Sequence, residues 1–171
     1  MKRLSIRSIP ATVLLVLALL PGSAVSQQKS LKDQLVGAWT FVSAFDIHPD
    51  GRKDDRWGAN PKGVFIFDAT GHFAFFISRS DLPKIAGNSP FKATAEESQA
   101  IMRGLGASFG TYTVNEAEKI LITSVEGGIF PNQIGATQSR VIVSLTADEF
   151  KYANQATTSG ARAESIWRRA K

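Results

Sequence analysis

Residues 63–79 read Gly-Val-Phe-Ile-Phe-Asp-Ala-Thr-Gly-His-Phe-Ala-Phe-Phe-Ile-Ser-Arg, two runs of aromatic and β-branched side chains joined by Asp68-Ala69-Thr70-Gly71. Such side chains suit a pleated, half-buried surface. Gly71 can take the positive φ that closes a short link. The spacing predicts a hairpin with strands over 63–68 and 72–79. Downstream, Asn115-Glu116-Ala117-Glu118 joins runs over 109–114 and 119–125, and Thr146-Ala147-Asp148 joins 138–145 to 149–154. A short final strand is expected over 163–169. Upstream, 35–47 is rich in Trp, Phe, Val and Thr and stops at the turn signal His48-Pro49-Asp50-Gly51, after which 52–61 reads as a polar loop. Eight strands in sequential hairpins predict an all-β fold, an eight-stranded antiparallel up-and-down barrel whose closure removes exposed edges. A barrel of that size can hold one small ligand or be filled by its own side chains.

One helix interrupts the pattern. Thr94-Ala95-Glu96-Glu97 has the capping-box form, and Ser98, Ile101, Met102 and Leu105 follow on one stripe, with Gly104 and Gly106 ending it. So apolar a stripe predicts a helix that plugs one barrel end. The excursion over 80–108 is long for a hairpin connection, a length that also suits a lid or a binding loop.

The chain has 171 residues. Residues 1–26 read as a secretory signal: Lys2, Arg3 and Arg7, an apolar run over 13–20, Pro21-Gly22, then Ala24 and Ser26 before the cut. The apolar run is shorter than the roughly 20 residues that span a bilayer. The protein is therefore expected to be periplasmic or secreted, with a flexible leader over 27–34 and one domain over 35–171. Without the three cations of the signal, the net charge of +5 falls to +2. The remaining charges are scattered, which argues against a nucleic-acid surface. With no cysteine, disulfides, thiolate metal sites and thiol nucleophiles are excluded, so the core alone must hold the domain.

If Trp39 faces inward, alternation puts Phe41, Ser43 and Phe45 inward and Ala38, Thr40, Val42 and Ala44 outward. Phe65 and Phe67 join them, with either Phe73 and Phe75 or His72 and Phe76. Apolar walls with a few polar groups describe a small-molecule pocket; the competing reading is a filled core. Tyr112, Glu126, Asn132 and Arg140 are the polar candidates for the lumen, although the favoured reading of Glu126 is a structural ion pair with Arg140 beside a tight loop at Gly127-Gly128 and Pro131-Asn132. His48 and His72 are the only histidines, too few for an expected metal site. There is no nucleophile elbow and no phosphate-cradling glycine loop.

Gly37-Ala38-Trp39 resembles the Gly-x-Trp signature of lipocalins, in which the Trp closes the barrel floor and packs against an Arg from the far end of the chain; here Arg168 or Arg169 would supply it. Leu35-Val36-Gly37-Ala38-Trp39, Asn60-Pro61-Lys62-Gly63, Thr70-Gly71-His72, Phe109-Gly110-Thr111-Tyr112 and Glu126-Gly127-Gly128-Ile129-Phe130-Pro131-Asn132 occur in order and resemble the bacterial lipocalin-like domain family. Lipocalins carry their main helix after the eighth strand, whereas this chain places its helix in the middle. The resemblance implies a barrel that binds a small apolar or amphipathic molecule, without a cofactor or metal. Its expected walls are Trp39, Phe41, Phe65 and Phe75, and its expected polar contacts Tyr112, Glu126, Asn132 and Arg140. The alternatives are an acid–base enzyme using Glu126, Tyr112 or His72, and a packed barrel that works through its surface.

Overall fold

A computed structural model of the chain describes residues 29–155 and 161–171; the expected signal segment lies outside the described residues. The elements are α1 (Leu31–Leu35), β1 (Gly37–Ile47), β2 (Lys53–Asp54), β3 (Lys62–Phe67), β4 (His72–Ser78), α2 (Ala95–Gly104), β5 (Leu105–Asn115), β6 (Ile120–Gly128), β7 (Thr137–Leu145), β8 (Glu149–Asn154) and β9 (Arg162–Arg169). From β3 to β9 each strand pairs antiparallel with the next, and β9 returns to β1, which also pairs with β3. Eight strands thus close into the expected barrel, and β2 is a short addition beside the end of β1. No helix among the described residues is long and apolar enough to cross a membrane.

The 63–79 hairpin forms as its sequence dictates. Gly71 takes φ 102°, and the Asp68 carboxylate accepts from the backbone N–H of Gly71 and His72 at 2.8 and 2.7 Å. Register pairs Phe65 with Phe75 and Phe67 with Phe73. These four rings face inward, so His72 and Phe76 are the outward pair.

Alternation fails in β1, where the pairing with β9 slips between Phe41 and Ser43. One extra residue reverses the phase of everything beyond it. Trp39 and Phe41 face inward as expected, but Ala44 is buried in place of Phe45, whose ring turns outward. A second slip sets Phe109 opposite Gly127 and Gly110 opposite Val125, leaving Glu126 as the unpaired residue of the bulge.

The floor of the barrel is sealed by the chain's two ends. Ser30 caps α1 by accepting from the Asp33 N–H at 3.0 Å, and Glu116, from the β5–β6 turn, accepts from the N–H groups of Leu31 and Lys32. The expected leader therefore carries a helix from Leu31, with Leu35 fully buried. Trp39 Nε1 donates to the Leu35 carbonyl at 2.8 Å. Of the two candidate cations, Arg169 covers the Trp39 ring, 3.8 Å from its centroid. Its guanidinium also donates to the carbonyls of Gln34, Val36 and Ala147 at 2.7, 2.8 and 3.0 Å.

The α2 helix has its capping box, with Thr94 Oγ1 accepting from the Glu97 N–H and Glu97 accepting from the Thr94 N–H. It does not plug the barrel. Most of its side chains face solvent, Met102 among them at 49% exposure. Leu105 already opens β5, so the larger apolar side chains of α2 are only Ile101 and Met102, among Glu96, Glu97, Ser98, Gln99 and Arg103.

Replacing Arg169 by Ala leaves three carbonyls without their donor and uncovers the Trp39 ring, and should lower the unfolding free energy by about 2–4 kcal/mol. Lys cannot reproduce the planar fork. Arg169→Lys should therefore recover only part of the loss, as read from urea-unfolding midpoints.

Candidate functional site

The inward-facing side chains divide the lumen into two halves. Toward the floor they are large and in mutual contact: Trp39 meets Phe150 at 5.6 Å between ring centroids, Phe67 meets Tyr112 at 4.9 Å, and Phe65 meets Phe67 at 4.2 Å. Trp167 is the hub above them, 4.9 Å from Phe41, 5.4 Å from Phe65 and 5.8 Å from Phe75. Tilted and edge-on arrangements of this kind add to the burial of the rings. Toward the mouth the inward positions turn small or polar: Ala44, Gly63, Gly106, Ser108, Gln138 and Ser165. Ser108, Gln138, Asn154 and Ala163 retain solvent contact although they face inward. Water therefore reaches the upper barrel on the β5–β9 side.

The opposite side of the mouth is covered by a residue of the 48–61 connection. The β1–β3 ladder ends at Thr40 paired with Val64; beyond it β1 runs on beside β9 and the two strands part. Trp57 fills the gap. It is buried, meets the Phe41 ring at 6.1 Å, and lies so close to Gly106 that a Cβ there would come within 2.9 Å of the indole. Asp55 aims it by accepting from the N–H groups of Trp57 and Gly58, and the Arg56 guanidinium stacks 5.2 Å from its ring. Ser80 and Arg79 hold the connection from outside, donating to the carbonyls of Ala59 and Arg56. Sequence reading left Trp57 in a polar loop. A lone Trp among Asp, Arg and Lys was the available signal.

Arg140 is the cation of the upper lumen. It stands opposite Leu121 in the β6–β7 register, donates to Thr123 Oγ1 at 2.7 Å and to the Gln138 side chain, and stacks 5.5 Å from the centroid of Tyr152. Among the described residues no carboxylate forms an ion pair with it.

The other expected site residues separate. Trp39 belongs to the floor, and Phe41, Phe65 and Phe75 form the wall. Tyr112 is buried beside the floor with its hydroxyl donating to the Asp68 carbonyl at 2.8 Å. Glu126 lies outside the barrel, on the face of β6 opposite to the buried Leu121, Thr123 and Val125, and it makes no ion pair with Arg140. Asn132 is likewise exposed, in a 3-10 turn over Pro131–Gln133. His72 lies on the outer surface with Thr70 and Asp68, and His48 binds Asp54 at 2.7 Å. Glu126, Tyr112 and His72 thus do not converge on a common space. Two open grooves of about 490 Å³ each flank α1 on the outside of the closed end; neither includes Arg140 or Trp57.

A family model described as a lipocalin-like domain matches residues 36–170. No curated protein matches the sequence. Among solved structures, a lipocalin-like protein from Bacteroides uniformis is 14% identical with a TM-score of 0.43, over 80% of this chain and 99% of its own. Bovine odorant binding protein, in complex with a selenium-containing odorant, is 15% identical with a TM-score of 0.42, over 84% of this chain and 74% of its own.

Burial first, then the charges of Asp68 and Asp33, push the Tyr112 phenol up to about 12. An unfolded tyrosine ionises near pH 10, at about 10, so the folded state resists a deprotonation that the unfolded chain undergoes. Stability should be untouched by this group below about pH 10 and fall as the pH rises from about 10 to about 12. In Tyr112→Phe that part of the alkaline loss should vanish from the pH dependence of the urea midpoint.

Proposed function

The chain belongs to the lipocalin-like domain family, and from that membership we propose that it is an exported binding protein that takes up a small, largely apolar molecule in the upper half of its barrel. The observation that carries this reading is the seat of Trp57. One loop side chain occupies space between Phe41, Phe75 and Gly106, over a floor already packed by its own rings. If the loop swings out, it leaves an aromatic-walled chamber with hydrated polar groups on one side, the composition of a small-molecule site. Trp57 is thus a lid whose indole stands in for the guest. Export is supported by the signal-like residues 1–26, and the lack of cysteine suits a barrel that needs no redox partner.

The driving force is removal of the guest's apolar surface from water, about 25 cal/mol per Å² before the entropy of capture is subtracted. Displacing Trp57 costs the free protein part of this gain, so removing the indole should favour binding.

Native mass spectrometry of the protein purified from its own producing cells, beside denaturing spectra of the same sample, should reveal an added mass that denaturation releases. Trp57→Ala should take up an environment-sensitive apolar dye about tenfold faster than the wild type, with an unchanged circular dichroism spectrum. A clean apo mass, with no dye uptake by either protein, would mean that the barrel is a filled core.

A further inference from the structure

We propose that the guest is an amphipathic carboxylic acid, its carboxylate on the Arg140 guanidinium and its hydrocarbon body against the rings below. This rests on the upper barrel being the binding chamber. Inside a wall of rings, a cation raises the free energy unless hydrogen bonds and a counter-charge meet it. Thr123 and Gln138 hold Arg140 in place, but both are neutral and together engage two of its five N–H donors. Every Asp and Glu of the chain lies within the described residues, and none pairs with it. Asp46, at an inward register position near the rim, belongs to β1, three strands away around the wall.

A second group points the same way. Trp167 is fully buried at the centre of the barrel, and its indole Nε1 has no acceptor. An unmatched buried donor is unfavourable by about 1–3 kcal/mol, and every atom near it among its ring neighbours is carbon. The one buried side-chain polar atom without a partner among the described residues is therefore a donor, and Arg140, half-buried, adds donors that its two neutral partners leave free. A carboxylate supplies two oxygens in the plane of the guanidinium fork and one negative charge against one positive. A dianionic phosphate would leave a charge unbalanced in a chamber with no second unpaired cation in evidence among the described residues.

Arg140 also explains the direction in which such a guest would lie. Its guanidinium rests on Tyr152, whose ring meets Phe65 at 6.4 Å and Phe150 at 5.4 Å. A chain leaving the carboxylate thus follows aromatic surface down toward Trp167.

The test titrates the full chain with decanoic acid, decanol and methyl decanoate near neutral pH, following tryptophan fluorescence. The acid should bind at least about tenfold tighter than the alcohol or the ester. In Arg140→Met the acid's advantage should disappear, and in Arg140→Lys part of it should remain. Equal affinities of the wild type for acid, alcohol and ester would overturn the carboxylate assignment while leaving the chamber in place, as would an acid preference that survives in Arg140→Met. No response to any of the three would overturn both the assignment and the chamber. Circular dichroism checks that the variants are folded; should Arg140→Met unfold, the wild-type comparison and Arg140→Lys decide.

Discussion

The barrel depends on one strand having two partners. β1 must hold β3 on one side and β9 on the other, joining the beginning of the domain to its end, and closing that contact between distant parts of the chain has an entropic cost. Arg169 secures it. In one side chain it ties the last strand to a carbonyl in the last turn of α1 and one just after it, to the β7–β8 turn, and to the ring of Trp39. A planar cation with three separate carbonyl acceptors and an aromatic face is bound in a way that no apolar side chain could match. The same residue is held at some expense, since burial lowers its pKa from the ordinary arginine value.

Much of this was legible before any coordinates. The 63–79 hairpin, the other strand pairs and the Thr94 capping box rest on local chemistry, a turn glycine or a cap, whereas the Trp39–Arg169 floor joins residues far apart in sequence and was implied by the resemblance to lipocalins. What could not be read depends on partners. Ala44 and Phe45 exchange faces because of an extra residue between Phe41 and Ser43, and nothing within β1 announces it; the slip exists only against β9. Glu126 is outward by the simple alternation of β6, whose inward positions are Leu121, Thr123 and Val125. α2 looked like core because its apolar stripe was judged without knowing that the floor and mouth already had occupants. Trp57 was missed because a loop shows no period to place its one ring. Arg140 was a candidate for the lumen on its residue type alone; its register opposite Leu121 and its neutral partners Thr123 and Gln138 belong to the structure.

The two halves of the barrel differ along its axis. The floor half is dense with rings in close contact and tied to α1, where a lost side chain leaves a void that the surroundings cannot fill. The mouth half is built from small residues, carries hydrated polar groups, and is closed by a loop held through a few exposed hydrogen bonds. Local opening draws on regions of that second kind. A barrel arranged this way can move at one end while the other keeps its register.

The parting of β1 from β3 above Thr40 has a consequence for how such a protein diversifies. In the reading proposed above, the volume available to a guest would be set by one residue of a connecting segment, not by the strands that enclose it. Exchange of that residue, or a change in the length of the segment, alters capacity without disturbing a single ladder pair. On that reading, inherited variation in the 48–61 connection would change what the barrel admits while leaving the ladder pairs of its strands in place.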